Sequence, residues 1–241
     1  MSGFLSSRAA LPLVAVAAAL LGAGATWLVN RGAAGDEIRA YLLQHPEVIP
    51  EAITELQRRD AARAIAASRS DIVNPIGSAW SGNPNGDVAV VEYLDYNCGY
   101  CRASVPTIDA LIAADPKVKV VYREWPVLSD ESVTAGRYGV VVAQMGGNYR
   151  KLHDALYAGG PLSQASIDAA VRAAGADPDA VKKAIAAPQI DDAIRTNMQV
   201  MRALGQSGTP SWIIGDRVYS GVQSLEQLKA AVAEARKNKS A

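Results

Sequence analysis

Two short valine-rich runs, "DVAVVEYLDY" from Asp87 and "VKVVYREW" from Val118, constrain the fold of this chain more than any other feature. Runs of this length, dense in β-branched residues and with no polar alternation, suit strands buried on both faces of a sheet. Between them Val105, Ile108, Leu111 and Ile112 keep helical spacing, with Asn97 as a good cap residue and Pro106 as an interior interruption. Strand, helix and strand in that order predict a parallel crossover unit, right-handed by the usual twist of strands. An α/β fold follows.

The rest of the chain arranges itself around this unit. Beyond Trp125 the pattern is helical for a long way, with successive helices from about Asp130 to Gly146, around Tyr149 to Leu156, around Ile167 to Ala174, from Asp177-Pro178 to a stop at Pro188, and around Ile194 to Met201. This reads as a helical subdomain inserted at about 129–204. After it "SWII" and "RVYS" flank Gly215-Asp216 as a hairpin, and Ser224 with Gln227 forms a capping box for a last helix through Arg236. The main domain therefore spans 86–236. Upstream, "NPIGSAWSGNPNGD" is expected to be a lead-in loop.

Residues 36–70 form a separate helical arm. Ile38, Tyr41 and Leu42 fall at helical spacing, Pro46 ends that helix, Pro50 suits the first turn of the next, and Ile53 with Leu56 continues the apolar edge. The edge is too thin for a core of its own, so the arm packs on the main domain or on copies of itself. Residues 1–29 carry an apolar stretch, Ala9 to Val29, behind Arg8. It reads as an export signal with a small-x-small site at Ala23-Gly24-Ala25, or as an uncleaved inner-membrane anchor. Either form sends the remainder to the periplasm or another extracytoplasmic space.

Composition narrows the partners. In 241 residues, 49% hydrophobic and 20% charged, Lys+Arg and Asp+Glu both count 24. No basic excess exists to neutralise phosphates, which argues against nucleic acid. Two cysteines in so long a chain cannot be a disulfide framework of a small domain, so Cys98 and Cys101, in "NCGYC", stand out.

Cys98 opens the crossover helix, where unpaired N–H groups and the helix dipole stabilise a thiolate, the form that attacks disulfides. Cys101 lies one turn further in, placed to reach back and release a mixed disulfide. Glu92, in an apolar strand, is expected to be buried with a raised pKa and to exchange a proton with Cys101. Three other readings of the pair stand beside this one. A metal site would need two more ligands, and only His45 and His153 exist, at spacings unlike zinc motifs; haem attachment fails because Arg102 follows the motif; a membrane-tethered module with a purely structural disulfide is the third. His153, on an apolar face with Tyr149, Leu152 and Leu156, reads as a packed core histidine, and Met198 and Met201 as core. Trp125 and Trp212 border a peptide groove or are buried beside the sheet.

The chain resembles the DsbA-like thiol-disulfide oxidoreductases of the thioredoxin superfamily. "VVEYLDYNCGYC", Pro106, "VYREWPVL", "NYRKLHDAL" and "LGQSGTPSWIIGDRVYSG" carry the likeness. It implies a thioredoxin fold with a helical insertion, catalysis by Cys98, Cys101 and Glu92, and a cis Thr209-Pro210 bond facing the cysteines, with Thr209 offering backbone to an extended substrate. Gly99 and Tyr100, with Thr209 and Pro210, are then the substrate-binding residues. It implies no cofactor beyond a redox-active Cys98–Cys101 disulfide and no metal. Expected partners are unfolded or misoxidised exported proteins and a membrane redox partner. Gly99-Tyr100 departs from the Pro-His of strong oxidases and is similar to periplasmic isomerases; the thiolate is expected to be less stabilised and the disulfide less oxidising. The arm looks like that of ScsC-like proteins, which implies a homo-oligomer through 36–70.

Overall fold

The computed structural model describes residues 19–22 and 35–239. The export segment expected over 1–29 therefore lies outside the described residues except for 19–22. Among the described residues no helix is long and apolar enough to cross a membrane. The chain divides into two units, Met1–Gln57 and Arg58–Ala241.

The first unit contains helix α1 over 35–44, a break at His45 to Glu47, and the start of α2, Val48–Ala67. Pro46 falls in the break, where a residue without a backbone N–H ends one helix and lets the next begin. Ile38, Tyr41, Leu43, Ile49, Ile53 and Leu56 are all at least half exposed. The apolar edge of the arm is thus formed and open.

The second unit is built on a five-stranded sheet, ordered β1 (Trp80–Gly82), β3 (Val118–Glu124), β2 (Val88–Leu94), β4 (Ser211–Ile214), β5 (Arg217–Ser220). β2 and β3 run parallel, with Val88 opposite Val118 and Glu92 opposite Tyr122; the other pairings are antiparallel. Helix α4 (Gly99–Ala114) makes the crossover. Alternation along a strand sends successive side chains to opposite faces. Val88, Val90 and Leu94 accordingly join one core with α4, the helical insertion and the last helix, while Val91 and Tyr93 join a second core on the other face.

Helix α3 (Arg69–Val73) and the end of α2 close that second face by burying Ile72 and Ile65, each contributing about 1.5–3 kcal/mol. Arg123, buried on the same face, donates from Nε and Nη2 to the Ile72 carbonyl at 3.2 Å and also reaches the Asn74 carbonyl. Its cation meets carbonyl groups that the end of a helix leaves unpaired.

The insertion comprises α5 (Asp130–Gln144), α6 (Tyr149–Ala158), α7 (Gln164–Ala173), α8 (Pro178–Ala184) and α9 (Pro188–Ala203). The hairpin turns at Gly215 in the left-handed region (φ 65°), and α10 (Leu225–Lys239) starts with the expected reciprocal bonds between Ser224 and Gln227. Arg236 forks to Asp87 and Asp115 and pins α10 to the starts of β2 and β3.

Three local expectations are corrected. The lead-in region contains strand β1, paired with β3 from Trp80–Val121 to Gly82–Lys119. Pro188 does not stop α8, which ends at Ala184; it occupies the first turn of α9, where a missing N–H costs nothing. The cap of α4 is Cys98, not Asn97: the Cys98 Sγ accepts from the Cys101 N–H.

Candidate active site

β2 ends at Leu94, and four residues carry the chain from it to the cysteine helix. Asp95 holds this turn. Its Oδ1 accepts from the Asn97 N–H at 2.7 Å and the Ser132 hydroxyl at 2.6 Å; its Oδ2 accepts from the Val127 and Leu128 N–H groups at 2.8 and 3.0 Å. Its carbonyl accepts from the Cys98 N–H at 3.0 Å and the Tyr157 hydroxyl at 3.1 Å. One buried residue thus ties the turn, the segment after β3, α5 and α6 to the backbone of Cys98.

Cys98 sits at the helix mouth with its sulfur 3.4 Å from the Cys101 N–H and 3.3 Å from the Thr209 carbonyl. The two cysteines are free thiols, both buried, Cys101 completely. Their acidities diverge. Cys98 is pushed down to about 5, first by a hydrogen bond from the Cys101 thiol, with the Thr209 side chain and the Cys101 and Tyr100 N–H groups adding to it against the cost of burial. Cys101 is pushed far up, first by burial, then by its bond to Cys98 and the charge of Glu92. One sulfur is held ionised and its neighbour protonated, which is the order that attack followed by resolution needs.

Glu92 is 1% exposed, facing the first core between Tyr122 and Trp212 on the flanking strands. Burial pushes its carboxyl up to about 8, with smaller upward contributions from Cys98 and Glu124 and a downward one from Arg150. Its Oε2 has no hydrogen-bond partner.

A second buried acid lies two residues beyond Tyr122 on the same face of β3. Glu124 Oε1 accepts from the Tyr96 hydroxyl at 3.0 Å and the Tyr149 hydroxyl at 2.6 Å, and burial pushes this carboxyl up to about 8 as well. A Cβ at Gly139 of α5 would overlap that carboxylate, so the glycine makes its space. The alternation Val118, Val120, Tyr122, Glu124 was the available signal for it.

The remaining expected residues fall as follows. Thr209-Pro210 is cis, and the Pro210 carbonyl accepts from Gly221 of the hairpin at 2.8 Å. Tyr100 is 70% exposed beside Cys98, and a Cβ at Gly99 would meet nothing within 4 Å. Trp125, Trp212 and Met201 are buried, so the two tryptophans pack beside the sheet rather than border a groove. His153 is fully buried among Tyr96, Tyr122, Tyr149 and Tyr157. Among the described residues, no three His, Cys, Asp or Glu side chains gather as metal ligands would.

Residues 89–233 match the family described as "DSBA-like thioredoxin domain", and residues 33–63 match the "Copper resistance protein ScsC N-terminal domain". Among solved structures, a thioredoxin-like oxidoreductase from Silicibacter pomeroyi is 36% identical, with a TM-score of 0.65 over 70% of this chain and 98% of that one. The thiol-disulfide exchange protein alpha-DsbA2 from Wolbachia pipientis is 32% identical, with a TM-score of 0.66 over 73% and 97%. A Proteus mirabilis ScsC variant with a linker deletion is 25% identical, with a TM-score of 0.70 over 84% and 95%. The curated relatives matched are Na(+)/H(+) antiporters, such as NhaA 3 of Salinispora tropica, 26% identical over 68% of this chain; the chain spans 25% of their length.

Proposed function

Since the chain belongs to the family of DSBA-like thioredoxin domains, we propose that it is a thiol-disulfide oxidoreductase working outside the cytoplasm, whose Cys98–Cys101 pair rearranges disulfides in exported proteins. The observation that carries this reading is the Cys98 sulfur at a helix mouth, accepting from the Cys101 N–H at 3.4 Å, with its pKa pushed down to about 5. The apolar stretch Ala9–Val29 behind Arg8 supports export, by cleavage or as an anchor. The pair is itself the redox centre, so no further cofactor is invoked.

In the reduced state the Cys98 thiolate attacks a wrong disulfide of the client. A bond forms from Cys98 to one client sulfur, and the other leaves as a thiolate free to find its native partner. If the client stalls, the Cys101 thiol gives its proton to Glu92 once that carboxyl is ionised, and the new thiolate attacks the Cys98 sulfur. That step closes the Cys98–Cys101 disulfide and releases the client reduced; a membrane redox partner returns two electrons. Tyr100, Gly99 and the Thr209-Pro210 segment surround the sulfur where an unfolded client would lie. A Cys98 pKa pushed down to about 5 lies well below the free-thiol value of about 8.5, as an attacking cysteine needs, and Gly99-Tyr100 in place of Pro-His supports rearrangement over pure oxidation.

Rearrangement gains from several sites around one client, and the exposed apolar edge of the arm supports self-association through 36–70. The test compares refolding of scrambled and of reduced ribonuclease by the intact chain and by one lacking 36–57, a cut that spares Ile65. Arm-dependent activity on scrambled substrate is expected; activity only on reduced substrate, with or without the arm, would select an oxidase instead.

A further inference from the structure

We propose that His153 is a positioning residue through which Glu92 exchanges its proton with solvent, because the Glu92 Oε2 and the His153 Nε2 are two buried atoms left without partners around one cluster of tyrosines. The inference rests on the exchange reaction proposed above and names the path its proton takes.

Glu92 lies directly across from Tyr122 on β3, and the Tyr122 ring is 4.7 Å from the His153 ring, centroid to centroid. Tyr157 meets the same imidazole edge-on at 4.9 Å and Tyr96 at 6.1 Å. Each tyrosine hydroxyl here is already engaged. Tyr122 pairs with Ser81 at 2.8 Å and Arg150 at 3.3 Å, Tyr96 and Tyr149 bond each other and Glu124, and Tyr157 donates to the Asp95 carbonyl. One oxygen of Glu92 and one nitrogen of His153, the residues that flank Tyr122, remain without partners. Buried polar atoms are rarely left unpaired, and each unpaired one costs about 1–3 kcal/mol.

The two orphans are chemically complementary. His153 Nδ1 is 3.0 Å from Asp154 Oδ1, and that carboxyl is held acidic by His153 and Arg150 despite the opposing effect of burial. An ionised Asp154 accepts, so Nδ1 carries the hydrogen and Nε2 presents a lone pair. Burial lowers the pKa of His153 itself, which keeps the ring neutral. The groups that bear on it are Asp154, Arg150, Tyr149 and Tyr157 from its own helix, Asp109 from α4, Tyr122 from β3, and Tyr96. Glu92, protonated below about pH 8, is a donor. The two atoms are not bonded to each other, and one water between them would link donor to acceptor.

When Cys101 resolves a mixed disulfide, Glu92 hands its proton to Nε2 and Nδ1 hands one to Asp154, whose side chain is 45% exposed, and the Glu92 carboxylate so formed takes the proton of Cys101. The next reduction of the pair makes Cys101 a leaving thiolate; the proton returns along the same atoms and resets the tautomer. Without such a route, a carboxyl sealed in the core cannot turn over with bulk water.

The test reacts the reduced, full chain with oxidised glutathione and follows two steps by acid quench and mass: formation of the Cys98 mixed disulfide, and its resolution by Cys101. His153→Phe, which keeps a ring against Tyr122, and His153→Gln, which keeps a smaller polar group, are each expected to leave the first step alone. Both should slow the second about tenfold at pH 7, the lower part of what general acid–base groups contribute. Neither should slow it further in a Glu92→Gln background. In wild type, the Nε2 nitrogen resonance of His153 should shift as pH crosses about 8 and not in Glu92→Gln. Unchanged resolution in either folded variant, additive slowing, or a resonance indifferent to Glu92 overturns the relay. If wild type forms no Cys98 adduct, the proposed function itself fails.

Discussion

The two faces of the sheet bury apolar cores of unequal size, the larger on the cysteine face, and treat charge in opposite ways. On the face covered by α2 and α3, the buried ion is Arg123, and its guanidinium is spent on carbonyl groups of Ile72 and Asn74. On the cysteine face lie Glu92, Glu124 and His153, with an oxygen of Glu92 and a nitrogen of His153 unpaired. A buried ion whose hydrogen bonds are met is architecture. Buried titratable groups left partly unmet cost stability, and the exchange chemistry proposed for the cysteines is what would offset that cost for Glu92 and His153.

Breaking the architectural side should give the largest effect. Arg123→Ala leaves those carbonyls unmet and is expected to cost about 3 kcal/mol in urea unfolding, while the Cys98 titration stays where it is. Asp95→Ala sits on the border between the two, since four donors converge on its carboxylate but its carbonyl holds the Cys98 N–H. It should cost about 2 kcal/mol and raise the Cys98 pKa as the turn loosens, whereas Asp95→Asn, which keeps part of the acceptor set, should recover some of both.

Glu92→Gln should have the reverse signature, with exchange slowed about tenfold and stability gained. The folded protein binds a proton at Glu92 that the unfolded chain releases above 4.5, so wild type loses stability as pH rises from 4.5 to about 8 and no further beyond. The advantage of the Gln variant should therefore grow across that window and then level off. The smallest effect is expected from Gly99→Pro with Tyr100→His. Proline is tolerated at the first helical position, nothing crowds a Cβ there, and the added histidine should lower the Cys98 pKa by about one unit, with the disulfide more oxidising by redox equilibrium.

Much of this contrast is legible in the sequence. Valine density predicted β2 and β3 as buried strands, and a carboxylate in such a run was expected to be buried at once. Other features were hidden for physical reasons. Strand β1 lies in a Gly- and Pro-rich stretch and exists because the edge of β3 offers backbone partners, which no local propensity records. Asn97 looked like the cap because amides outrank thiols at that position, yet its N–H is taken by Asp95 and a sulfur one residue later does the capping. Glu124 is within reach of strand alternation, but its tyrosine partners Tyr96 and Tyr149 come from segments that no local pattern joins to β3. His153 read correctly as buried; what it lacks, a partner for Nε2, is a property of the assembled core.

The most direct test of the account is the ultraviolet absorbance of the thiolate in reduced protein as a function of pH, with Cys98→Ser as control. A single transition with a midpoint near pH 5 that vanishes in the control is predicted. A midpoint near the ordinary thiol value of 9.0, or a low one that survives the loss of Cys98, would contradict it.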